Sequence, residues 1–253
     1  MAPIITPAVL LRAHDFGDTS RILRFYTRGH GLVSVVARGA RGRSGKGTTT
    51  LASFASGDLT AYLKAHRDLH TMKDFDCVRS RSGLARDVLR FAGASAAAEI
   101  VLAHAEQEPQ PALYVALEAA LDRLDTVDAA ELPAAVLAGL WTIVGGFGFA
   151  PQVDSCVRCG ASFESGEVGR FDFAAGGVRC SRCAVGAAGP LIGPRARAQL
   201  AALVEGRLPE GLTHPRRHLG VISDFVSYHV VSRPLKSFRF LGGMLPPDPE
   251  TEE

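Results

Sequence analysis

Cys156-Val157-Arg158-Cys159 and Cys180-Ser181-Arg182-Cys183, with twenty residues between them, decide how this chain is read. A Cys-x-x-Cys pair wraps a tight turn around a metal, and two such turns on a short hairpin complete a tetrahedral thiolate cage for zinc. The intervening sequence suits a hairpin. Gly160 turns the backbone after the first pair, Phe171 and Phe173 alternate with Arg170 and Asp172, and Gly176-Gly177 offers the return turn before Val178 and Arg179. Two disulfides are the alternative, but no secretory signal opens the chain and a reducing cytosol favours metal over cystine. Four thiolates leave no open coordination position, so the expectation is one structural Zn2+ per chain and no catalytic metal. The fifth cysteine, Cys77, has no histidine pair to activate it and reads as a small core residue.

Around this module the charge is segregated. Net charge is only +2, yet residues 1–80 carry twelve basic against six acidic side chains, and residues 81–150 carry four against nine. A basic N-terminal module therefore faces any anionic partner. Leu132 to Val153 holds no charge and is long enough to span a bilayer, but its glycines and its isolation favour a buried core helix entering a loop.

The first eighty residues read as strands: Val9–Arg12, Arg21–Tyr26, Leu32–Arg38, Leu59–Lys64 and Leu69–Phe75, with Gly29-His30-Gly31 as a hairpin turn. Five short strands suggest a small barrel. Parity turns Leu59, Ala61 and Leu63 inward and Tyr62 and Lys64 outward, and likewise sets Leu23 and Phe25 against Arg24 and Tyr26. An outward face of Tyr beside Lys or Arg suits single-stranded nucleic acid, with bases on the rings and phosphates on the cations; a merely solvated face is the alternative. Residues 39–50 form a basic loop whose Gly45-Lys46 does not complete a phosphate-binding motif, because Ala40 and Gly47 stand at positions the motif reserves for Gly and Ser or Thr. Arg38, Arg41, Arg43 and Lys46 are the candidates for phosphate contacts there.

From residue 81 the period becomes helical through Leu84, Val88, Phe91, Ile100, Leu113, Leu117, Leu121 and Leu124. Beyond the cysteines, Pro194 opens one further helix and Pro215 a last one, which ends before Pro234.

Asp18-Thr19-Ser20, Phe25-Tyr26-Thr27, Gly31-Leu32-Val33 and Val36-Ala37-Arg38-Gly39-Ala40-Arg41 resemble the opening of the RecO recombination-mediator family. The likeness continues in Gly148-Phe149-Ala150-Pro151, Gly176-Gly177-Val178-Arg179-Cys180 and Arg233-Pro234-Leu235-Lys236-Ser237, in that order around the cysteines. It implies an α+β multidomain chain: an OB-fold DNA-binding barrel (1–80), a helical domain (81–150), a zinc ribbon inserted in the helical part (151–188), C-terminal helices packing on the helical domain (189–245) and a disordered acidic tail (246–253). It also implies a non-enzymatic, nucleoid-associated cytoplasmic protein, monomeric when free, with no membrane contact. Such a protein binds single- and double-stranded DNA, anneals complementary strands, and with RecR helps RecA load onto DNA coated by single-strand-binding protein (SSB).

The acidic, apolar-ended tail of SSB needs an apolar pocket rimmed by cations, for which Arg216, Arg217, Arg233 and Lys236 around Leu219, Ile222 and Val226 are candidates; solvated helix ends are the alternative. Two other readings compete. A sirtuin-type NAD-dependent deacylase shares the four-cysteine ribbon but needs a glycine-rich dinucleotide turn, which Gly29-His30-Gly31 does not supply. An RNA-binding zinc-ribbon protein of the ribosome or transcription apparatus would show the same basic barrel and prefer RNA.

Overall fold

In the computed structural model, which describes residues 2–40, 52–231 and 233–248, five N-terminal strands close into a barrel. They are β1 (Ile4–Phe16), β2 (Ser20–Thr27), β3 (Gly31–Ala37), β4 (Ser56–Tyr62) and β5 (Leu69–Arg79), in the order β1-β2-β3-β5-β4. All pairings are antiparallel except β3 with β5. Strand alternation builds the interior: Leu23 and Phe25, Val33 and Val35, Leu59 and Ala61 meet Ala8, Leu10 and Phe75 in a core of the barrel's own. Closure leaves no free sheet edge. The ladder of β1 on β2 shifts between Leu10 and Arg12, and the extra residue, Leu11, packs outside the barrel against the helices.

A short 3-10 turn (Ser82–Ala85) leads to α1 (Val88–His104), α2 (Pro111–Thr126) and α3 (Leu132–Gly146). Asp87 caps α1, accepting from the amides of Leu89 (2.8 Å) and Arg90 (3.0 Å), and a proline opens each of the next two helices. Helix α3 is buried nearly all round, Trp141 included, which accounts for its uncharged sequence. None of the helices among the described residues is long and apolar enough to cross a membrane. A small sheet follows, β6 (Gly169–Asp172) between β7 (Gly177–Arg179) and β8 (Leu191–Ile192), then α4 (Pro194–Val204), α5 (Pro215–His229) and α6 (Lys236–Met244). Phe171, Val178 and Ile192 of this sheet lie in one continuous core with the helices, and Phe225 of α5 joins Trp141 (ring centroids 5.2 Å apart) to Phe171 (6.2 Å).

Two features of the C-terminal region differ from the sequence reading. Helix α6 follows Pro234, where no further helix is expected, because its first amides are satisfied from far away in sequence. Glu99 of α1 accepts from Lys236 N (3.2 Å), Ser237 N (2.8 Å) and the Ser237 hydroxyl. The start of the tail is also anchored rather than disordered: the Arg216 guanidinium donates to Leu245 O at 3.0 and 2.9 Å, and Asp248 Oδ1 accepts from Arg216 N at 3.1 Å. Residues 249–253 lie outside the described residues.

Barrel and helices meet along a tight seam. Leu32 N donates to Glu106 O (2.8 Å), and a Cβ on Gly31, at φ +58°, would stand 2.4 Å from that same oxygen. Arg81, 5 % exposed and left-handed at φ 47°, donates to Asp122 (2.8 Å), Glu118 (2.9 Å) and Phe54 O (2.6 Å), joining the end of the barrel to α2.

Candidate metal centre and nucleic-acid interface

Two loops bring the four cysteines together. Cys156 and Cys159 sit on a turn closed by Gly160 N donating to Cys156 O (2.8 Å), with Gly160 at φ +72°; Cys183 ends the 3-10 turn Ser181–Cys183. The four Sγ atoms all lie within 4.8 Å of one another, and Cys159 and Cys180 are 3.9 Å apart at sulfur. A disulfide needs about 2.05 Å, whereas zinc with bonds of about 2.3 Å holds tetrahedral sulfurs about 3.8 Å apart. All four are free thiols, so the spacing fits a tetrathiolate metal and not two cystines.

The amides favour thiolate. Burial alone would push Cys156 up, but hydrogen bonds from the amides of Cys180 (3.3 Å to Sγ), Cys159 and Arg158 bring it down to about 6. Cys183 is held up at about 12 by its hydrogen bond with Cys180, by burial, by the other two thiols and by the Cys156 charge. A cation bound among the four sulfurs would favour the thiolate form and so relieve the upward pressure on Cys183. Once bound, such an ion cross-links the two loops. Glu167 braces the second loop against the 164–167 turn: it accepts from Ser181 N (2.9 Å) and Ser181 Oγ (2.7 Å) through one oxygen and from Glu164 N (3.0 Å) through the other. Nothing in the Cys-x-x-Cys pattern points to that brace.

The barrel candidates separate into two groups. Ladder register sets Arg24, Ser34 and Leu69 in one outward row and Ile22, Val36, Thr71 and Tyr62 in the next. Tyr62 is half-buried there, while Arg38 and Lys64 are exposed at strand ends. Arg24 is half-buried, and burial, then the charge of Arg12, hold its pKa below the usual arginine range. Tyr26 is a correction. Its parity is outward as expected, but the helices cover that part of the barrel, leaving it 0 % exposed with its hydroxyl donating to Gln110 O (3.4 Å). Its ring fills the seam with Val9, Leu11 and Phe54 and offers no face to a base. Arg41, Arg43 and Lys46 lie outside the described residues.

The expected rim of four cations does not converge either. Arg216 and Arg217 open α5, whose fifteen residues at 1.5 Å each make it about 22 Å long, whereas Arg233 and Lys236 follow its other end in the chain. Leu219, Ile222 and Val226 are core residues. A cavity of about 600 Å³ does lie at the first end, walled by Leu191, Ile192, Pro194 and Val221, with Arg195 and Arg217 among its lining. Arg195 escaped the sequence reading because it meets α5 only through the fold.

Comparison with known proteins agrees with this architecture. The family model for Recombination protein O N terminal matches residues 1–81, the barrel, and that for Recombination protein O C terminal matches residues 85–239. A DNA repair protein RecO from Anaeromyxobacter sp. (strain K) is 32% identical over 243 residues, covering 92% of this chain and 93% of that protein. Those of Myxococcus xanthus (strain DK1622), 32% over 238 residues (92% and 95%), and Desulfatibacillum aliphaticivorans, 30% over 254 residues (95% and 97%), are similar along nearly their whole lengths. With both family models in chain order and relatives matched end to end, the chain belongs to the RecO family of DNA repair proteins.

Proposed function

We propose that this chain is a non-enzymatic recombination mediator of the nucleoid that binds DNA, anneals complementary strands and, with RecR, helps RecA load onto SSB-coated single strands. The observation that carries the reading is a closed barrel with Arg24, Arg38, Tyr62 and Lys64 on its outward side, in a chain matched by the RecO models at both ends. Arg41, Arg43 and Lys46 extend that cationic face in sequence. The cage formed by Cys156, Cys159, Cys180 and Cys183 holds one zinc with a structural role, because its four protein ligands exclude substrate.

For the SSB tail, the cavity lined by Arg195 and Arg217 combines apolar walls with cations, as an acidic peptide with an apolar end requires. Arg233 and Lys236 are not part of it.

An annealing assay on complementary strands coated with SSB, with and without RecR, tests the reading. Acceleration by the chain, raised further by RecR, is expected; equal rates with and without the chain would reject it. Alanine at Arg41, Arg43 and Lys46 together should flatten the dependence of affinity on salt, by roughly 0.7 to 0.9 in log–log slope per lost contact. Stronger binding to RNA than to DNA of the same sequence would favour the RNA-binding alternative.

A further inference from the structure

We propose that Arg12 and Arg24 together grip one backbone phosphate of a nucleic-acid strand, at the crease where the barrel meets the start of α6. The proposal rests on the DNA-binding reading and adds a residue, Arg12, and a path to it. After the one-residue shift in β1, Arg12 stands directly opposite Arg24 of β2, both on the barrel's outer face. Like charges facing each other across a ladder disfavour the pairing. Among the described residues neither guanidinium has a carboxylate within ion-pair distance.

The carboxylate whose field Arg12 does feel is Glu99, and Glu99 is committed elsewhere, accepting from two amides and a hydroxyl at the start of α6. Arg24 is half-buried, so water compensates its charge poorly. Two facing guanidiniums, Arg24 half-buried and Arg12 exposed, with no carboxylate paired to either, match the several acceptor oxygens of one phosphate, each able to take a charge-assisted hydrogen bond. Ser34 lies beside Arg24 on β3, and the exposed Lys236 begins α6 at the far side of Glu99. A strand lying on the barrel thus leaves it over Arg24 and Arg12 toward Lys236. The arrangement costs the folded barrel repulsion that the ligand relieves.

The test titrates a labelled single-stranded oligonucleotide against the full chain over a range of salt. It compares wild type with Arg12→Ala, Arg24→Ala, the double alanine variant, the double lysine variant and Arg38→Ala. If both arginines hold one phosphate, the double alanine variant loses about 0.7 in salt slope, the value for one contact to a single strand, and each single variant loses nearly as much. The double lysine variant retains the wild-type slope, and the double alanine variant melts no lower than wild type, because opposed charges have been removed. A loss of about 1.4 in the double alanine variant would mean two separate phosphates and overturn the shared grip. An unchanged slope there, with Arg38→Ala lowering it, would overturn the proposal and leave the DNA-binding reading standing. Unchanged slopes in all variants would reject both.

Discussion

The barrel and the ribbon are both small β structures, but they are held together differently. The barrel closes on itself around eleven buried residues that form a core separate from that of the helices, and it needs no ion. The ribbon's sheet has strands of four, three and two residues, and its apolar residues are counted in the core of the helices. Strands that short cannot exclude water from both faces, so the ribbon has a four-cysteine cluster able to hold a metal at one end and packs on Phe225 and Trp141 at the other. Closure makes one module self-sufficient, whereas the other is a lobe of the helical body.

The largest effect should come from breaking the cage. Cys159→Ser, or a strong chelator, should release the metal and raise amide hydrogen exchange across residues 153–192 while β1–β5 stay protected; structural zinc in isolated peptides is worth about 10–16 kcal/mol. Equal exchange rates in barrel and ribbon after chelation would erase the contrast. Next is the charged seam. Arg81→Ala removes a buried guanidinium from Glu118, Asp122 and Phe54 O while Arg79 still pairs with both carboxylates, and should cost about 1.5–3 kcal/mol in denaturant unfolding. It should also separate the barrel's transition from that of the helices.

The helical side should answer to acid as well. His218 is buried against Gln199 Oε1 (3.4 Å), and burial lowers its pKa to about 4, with Asp248 acting upward and His214 downward. It folds neutral and takes up its proton in the unfolded chain. Its contribution is therefore complete above about 6.5 and is lost as pH falls from there to about 4, roughly 3 kcal/mol in all. His218→Gln should flatten the stability–pH curve in that window, and an unaltered curve would show that other groups carry it. The smallest effect expected is at the backbone seam: Gly31→Ala, with its positive φ and its contact on Glu106 O, should cost about 1–3 kcal/mol without loosening the barrel core.

The sequence disclosed what local chemistry controls. Alternation placed Leu23, Phe25, Leu59 and Ala61 inside the barrel, prolines marked the openings of α4 and α5, and the cysteine spacing placed four sulfurs within reach of one ion. What it concealed was set by distant parts of the chain. Tyr26 has the parity of an exposed residue and is buried because helices cover that side. Helix α6 takes its cap from Glu99, and the cavity joins Arg195 on α4 to Arg217 on α5. Strands β1 and β5 also ran longer than their apolar cores suggested, β1 by several residues at each end, because closure supplies ladder partners to residues with no apolar pattern of their own.

The shift at Leu10 in β1 bears on how this gene can tolerate change. Losing one codon within a strand ordinarily inverts every later side chain, sending core residues to solvent. Here Leu11 is already outside the pairing, so a deletion of that codon would join Leu10 to Arg12 in a regular ladder and keep Ala13 opposite Leu23. The barrel would survive with its inside and outside intact, and the lesion would be confined to the contact that Leu11 makes with the helices.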